Sequence, residues 1–374
     1  MAMIETTDVS KALAAGPIGR RKLLQALASV GVVATMFPVM SRRASAAAVN
    51  LSYYTWSGYD LPDLHQGFVD KYGAPPEYAI FGEEEEGLQK LRGGFTADVA
   101  HPCTSNVRRW RDAGVLKPID ASRLEQWENV FPSFKEIRGV MIDGEMFHMP
   151  WDWGNTSVLY RTDKVEISEE SYSIFLDERY KGQMSMFDSG ETVPVVAALI
   201  AGIKDPWNMN DAELAETLEI MKKINANMRF YWTDSTQIEQ AMASGELVAA
   251  TTWNESVLKL QNQGIPVAYM TPKEGILTWV CGLALLSGGT GDEDQKYDFL
   301  NAMLSVESGK QLIEQYNYGH SNRKAMESVD PALLKQLGID NAEQRLKTTR
   351  FFDEIPPATR ERMNAMLEQV KAGL

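Results

Sequence analysis

From Val49 onward the chain alternates short β-like runs with stretches of helical spacing, and this alternation limits the fold more than any other feature. Leu51-Ser-Tyr-Tyr-Thr-Trp56 reads as a first strand, and Leu61 to Tyr72 spaces its apolar residues as a helix does. Glu77 to Phe81 reads as a second strand, Leu88 to Leu91 opens a short helix, and Ala97-Asp-Val-Ala100 is a third strand. The middle of the chain repeats the scheme. Asp211 to Asn227 is an amphipathic helix with Asn210 as its N-cap, and Ile238 to Ser244 is a helix ended by Gly245. Leu247 to Trp253 is a strand, while Asp294–Leu304, Ser308–Tyr316 and Pro357–Lys371 are helices. Alternation of this kind predicts an α/β fold with a largely parallel sheet. A length of 374 residues suits two domains, each with its own core.

The first 48 residues read as an address. Gly19-Arg20-Arg21-Lys22-Leu23-Leu24 leads into an apolar run that reaches Met40, and Ser41-Arg-Arg-Ala-Ser-Ala-Ala-Ala48 follows. A basic start, an apolar run and an Ala-x-Ala site predict a secretory signal peptide, and the twin arginine is that of a Tat-type signal. A membrane anchor is the bland alternative, but Gln25, Ser29 and Pro38 interrupt a run that barely reaches spanning length. Export to the periplasm is therefore expected. Removal of this segment takes six basic and two acidic residues, so the formal charge moves from −14 to −18.

That acidity argues against nucleic acid as a partner. The four histidines are scattered, without metal-ligand spacing, and no phosphate loop, dinucleotide fingerprint or Gly-x-Ser-x-Gly elbow occurs. No metal, no cofactor and no catalysis are expected. A His101–Cys103 nucleophile pair is conceivable, but near-adjacent residues at a strand end point in different directions. A ferric-iron binder using Tyr316 and Tyr318 is a second rival reading. Trp56, Trp153, Trp253 and Trp279 each fall near a strand end, where open α/β sheets bind ligands, and together they predict an aromatic cleft.

Several segments carry a resemblance. They are Tyr54-Thr-Trp-Ser-Gly-Tyr59, Ala97-Asp-Val-Ala-His-Pro-Cys103, Ala113-Gly-Val-Leu-Lys-Pro-Ile-Asp120, Pro150-Trp-Asp-Trp-Gly154, Gly245-Glu-Leu-Val-Ala-Ala-Thr-Thr-Trp-Asn254 and Pro272-Lys-Glu-Gly275 leading to Trp279. In order and spacing they resemble the spermidine/putrescine-binding proteins of ABC transporters. The resemblance implies a two-lobed periplasmic binding protein, type II-like, each lobe a mostly parallel sheet flanked by helices and joined by hinge crossings. Lobe one would be 49–155 plus 280–323, and lobe two 156–279 plus 324–374. Crossings would fall near Gly154–Val158, Thr278–Gly282 and Asn322. The implied partners are a small amine and a membrane permease, with the protein a monomer. The ligand positions carried over are Trp56, Ser57, Tyr59, Cys103, Ser105, Trp153, Ser189, Thr192, Trp253, Trp279, Cys281 and Asp353.

The match departs where it matters most. The family's ammonium-binding acids fall on Ser189, Thr192 and Cys281. A buried ammonium needs an anion, so the charge must come from elsewhere. Asp188 and Glu191 lie one residue away, and Asp152, Glu255 and Asp353 are further candidates. The Glu83–Glu86 run reads as a solvated turn or helix start that could hold a cation. Aromatic walls with few acids also suit a quaternary amine, a betaine or a 4-aminobutyrate-like zwitterion, with Arg161 or Arg350 as carboxylate partner. By the resemblance both cysteines face the ligand, and a bridge between them requires Cα atoms within about 7 Å.

Overall fold

The computed structural model of the protein describes residues 48–347 and 349–373. Residues 1–47, with the twin arginine and apolar run of the expected export signal, lie outside the described residues. Among the described residues no helix is long and apolar enough to cross a membrane.

The first lobe begins with β1 (Ser52–Trp56), which runs parallel to β2 (Glu77–Phe81) on one side and β3 (Val99–Ala100) on the other. Short strands β4 (Leu116–Lys117), β5 (Met141–Ile142) and β6 (Glu145–Met146) follow. Then β7 (Met149–Arg161) runs for thirteen residues, all but one of them buried. In the second lobe β8 (Met184–Phe187) lies parallel between β9 (Met228–Trp232) and β10 (Ala249–Trp253). After β11 (Val267–Tyr269), the long β12 (Leu277–Leu286) returns antiparallel to β7, and β13 (Gly319–His320) and β14 (Arg350–Phe351) pair beside them. The resulting order β2-β1-β3-β12-β7-β10-β8-β9 is one sheet. Its outer thirds are parallel, as expected, and its centre is the antiparallel β7–β12 pair.

Each outer third has its own core. One side packs Tyr53, Phe68, Phe134, Trp151, Trp153 and Phe299, with Trp110 and Phe81 in an adjoining cluster. The other packs Tyr172, Phe175, Val193, Met221, Leu277 and Met363, adjoined by Trp232 and Leu260. Met326, Val329, Leu337, Ile339 and Leu346 join the first core, although this segment was expected in the second lobe. After β13, Phe351 still packs against the first core, while Phe352 and Ile355 pack in the second. Asn322 caps helix Arg323–Glu327 by accepting from Lys324 N.

Local chemistry explains the element ends. Asn210 and Glu213 form a reciprocal capping box at the start of helix Asp211–Asn227. Gly245 ends helix Ser235–Ser244 in the left-handed region at φ 81°. The Glu83–Glu86 run is a helix start: Glu83 caps helix Glu84–Arg92, and three acids occupy its first turn, where the helix dipole favours them. At Gly282 the β7–β12 register slips by one residue, and a Cβ there would sit 2.8 Å from the Trp151 amide. Only glycine fits that bulge.

Candidate functional site

Trp56 closes β1, its indole N–H held by the His101 carbonyl at 2.9 Å and its ring packed on Phe81. Its position at the strand end puts it on the wall of a cavity of about 520 Å³ between the lobes. The first lobe lines that cavity with helix Glu84–Arg92 and with Asn106 and Arg109 of helix Thr104–Asp112. The second contributes the Ser189-Gly-Glu191 turn and Arg360 and Asn364 of helix Pro357–Lys371.

Two carboxyls meet there from opposite lobes. Glu84 accepts from the Cys103 amide at 2.7 Å and from Asn106 Nδ2 at 2.6 Å. Burial pushes its carboxyl up to about 8, with Glu191 and Glu83 adding to the effect against those two hydrogen bonds. Glu191 is also raised by burial, although Arg360 stands 3.7 Å away. One oxygen of Glu191 is buried without a partner. Arg109 reaches Glu85 at 2.6 Å, while its Nε, like that of Arg360, is buried and unpartnered.

The expected site residues separate into several groups. Ser189 faces the cavity, and its hydroxyl accepts from the Glu191 and Thr192 amides to start helix Thr192–Ile200. Thr192 is buried as the first residue of that helix. Ser57 is exposed in the turn after β1. Ser105 is buried in the first turn of its helix. Tyr59 is turned inward, donating to Asp152 at 3.1 Å and stacking on Tyr316. Trp253 packs on Phe187 and Trp232 in the second lobe. Trp279 stands edge-on to Tyr318, and its indole N–H is buried without a partner.

Trp153 is core and not cleft: it is 1% exposed, lies mid-strand in β7, and donates to the His320 carbonyl. The four tryptophans therefore do not form one wall. Asp353 pairs with Arg138 at 3.1 Å, and Asp188 is held by Lys371. Asp152 is satisfied by Tyr59 and His101. Arg161 is taken by Asp163 and the Met242 carbonyl, and Arg350 by the Glu274 and Lys204 carbonyls, so neither faces the cavity. Glu255 is the exception among the further acids. It is buried, burial lifts its carboxyl to about 7, and one of its oxygens lacks a partner.

Cys103 and Cys281 are joined in a disulfide with Cα atoms 3.7 Å apart, within the reach a bridge demands. Bonded, Cys103 has no thiol to serve as a nucleophile, and His101 is committed to Thr55 and Asp152. No group of His, Cys, Asp and Glu suited to a metal occurs among the described residues. Asn106, Arg109, Arg360 and Asn364 were not expected as site residues, whereas Glu84 belongs to the Glu83–Glu86 run named above as able to hold a cation. As charged and polar positions on amphipathic helices, those four look in sequence like any solvated face.

Comparison with known proteins agrees with this architecture. The putrescine-binding periplasmic protein of Escherichia coli strain K12 is 27% identical over 88% of this chain and 93% of its own length. The spermidine/putrescine-binding periplasmic protein of the same strain is 23% identical over 83% and 88%. Among solved structures, the spermidine/putrescine ABC transporter substrate-binding protein of Streptococcus pneumoniae superposes with a TM-score of 0.74 at 22% identity, covering 87% of this chain and 99% of that one. A GABA receptor superposes at 0.66 with 17% identity, covering 86% and 93%. The profile of bacterial extracellular solute-binding proteins matches residues 88–337. With two α/β lobes, two long crossing strands and a cavity between them, the chain belongs to the bacterial extracellular solute-binding protein family.

Proposed function

We propose that this protein is the extracytoplasmic capture component of an ABC uptake transporter. It takes a small amine into the cleft between its lobes and hands it to a membrane permease, without catalysis. The lobes divide as 49–155 plus 280–346 and 156–279 plus 352–373, following the two cores. The amine reading rests on one observation: Glu84 and Glu191, from opposite lobes, share a cavity with Trp56. Burial and the nearby Glu191 charge hold the Glu84 carboxyl up, and an ammonium between the two removes that penalty while its charge meets the indole face. It also ties the lobes together, which is how a cleft of this kind closes on its ligand. The names of the relatives, which are putrescine, spermidine and GABA binders, support the same class.

The test is calorimetric titration of the ligand-free mature protein with putrescine, spermidine, 4-aminobutyrate and glycine betaine. At least one is expected to bind. Glu191→Gln should weaken that binding roughly tenfold or more, the usual loss for a charge-assisted contact. If every amine fails to bind, the proposal falls.

A further inference from the structure

We infer that the cavity is made for a zwitterion: an amine that also carries a carboxylate, held by Arg109 and Arg360. The inference rests on the reading that this cavity binds an amine, and it narrows the class.

Three buried side-chain atoms on the cavity residues lack partners, and they are of both kinds. Arg109 Nε and Arg360 Nε are donors, and Glu191 Oε1 is an acceptor. The internal pairings leave capacity to spare. Arg109 spends one terminal nitrogen on Glu85, and the Arg360–Glu191 contact at 3.7 Å is too long for a hydrogen bond. A buried polar group without a partner costs free energy until something fills its place.

A diamine has donors only. It would satisfy Glu191 but leave both guanidinium N–H groups unpaired, and it would set a second positive charge beside two arginines. A zwitterion answers all three. Its ammonium goes to Glu191 and the Trp56 face, and its carboxylate accepts from the planar forks of the guanidinium groups. Arg109 sits on helix Thr104–Asp112 of the first lobe, and Arg360 on helix Pro357–Lys371 of the second. The carboxylate thus bridges the lobes just as the ammonium does. Ser189, Thr192 and Cys281 point the same way. The acids that the resemblance would put at these three positions are replaced by uncharged residues, and one of the three is locked in a disulfide.

The ligand-free mature protein is screened by calorimetry against the α-amino acids, the ω-amino acids from β-alanine to 6-aminohexanoate, putrescine and spermidine. An amino acid is expected to bind more tightly than either polyamine. For that amino acid, Arg360→Gln and Arg109→Gln should each cut affinity roughly tenfold or more. Arg360→Lys, which keeps the charge but not the fork, should fall between, and thermal melts confirm that each variant is folded. Should Arg360→Gln not fold, the Arg360→Lys and Arg109→Gln results decide. Failure of every amino acid to bind overturns the inference. If putrescine or spermidine binds in their place, the amine reading survives, and if nothing binds, both fall. Unchanged amino-acid affinity in the folded arginine variants also overturns it.

Discussion

The Cys103–Cys281 bridge can be assigned a magnitude. The two cysteines are 178 residues apart in sequence, and the closed loop leaves the first lobe, makes most of the second lobe and returns. Restricting the unfolded chain by a loop of that length is worth about 5 kcal/mol on the chain-entropy account. The entropy of unfolding scales with size, at about 2.1 cal/mol/K per residue, or roughly 0.7 kcal/mol/K for the described residues. Loss of the bridge should therefore lower the melting temperature by about 7 °C. The assay is scanning calorimetry on the ligand-free Cys103→Ser/Cys281→Ser double variant beside the parent protein, each with and without a phosphine reductant. Reduction should bring the parent down to the variant and leave the variant unmoved. A fall of less than about 2 °C, or two titratable thiols in the unreduced denatured parent, would refute the reasoning.

The acid–base behaviour of Glu84 has a definite sign. Its folded carboxyl titrates near 8, above the ordinary value of 4.5, so the folded state favours the protonated form. Its contribution to stability is present below about 4.5 and is lost as pH rises towards 8. Urea melts across this range should show Glu84→Gln losing less stability with rising pH than the parent. Parallel slopes would discard the assignment. The tryptophans should divide by role. Trp153→Phe removes a buried indole and its bond to the His320 carbonyl, costing about 1–3 kcal/mol of stability with ligand affinity little changed. Trp56→Ala should do the reverse, weakening amine binding several-fold with a smaller effect on the melt.

What could be read in the sequence was what local chemistry decides. Asn210 with Glu213 marks a helix start because their side chains satisfy the first free amides, and the structure begins the helix at Asp211. Pro357 marks the last helix, since proline loses nothing at a first turn. A crossing was expected near Gly154–Val158, but not the length of the strand that makes it: β7 takes in both Pro150 and Gly154, and Gly154 leaves room for the Trp279 ring and Asn254. Trp153 was misread for the same reason: a strand expected to stop there continues for eight more residues. At the site, Trp56 was legible because it ends a strand. Arg109 and Arg360 were not, because nothing local says that two helices from separate lobes will face each other across a cavity. Glu191 lay one residue from the position the resemblance indicated, and the Ser189 turn decides which side chain enters the cleft.

The two long strands bear on how the lobes can move. β7 would measure about 43 Å end to end at the usual rise, and β12 accompanies it through seven paired positions with no loop between the lobes. Such a hinge cannot swing freely about a single bond. It behaves as a leaf spring, in which opening is a twist shared along a hydrogen-bonded ribbon and resisted from the first degree. The bulge at Gly282, clamped on one side by the neighbouring disulfide, confines that twist to the ribbon beyond it.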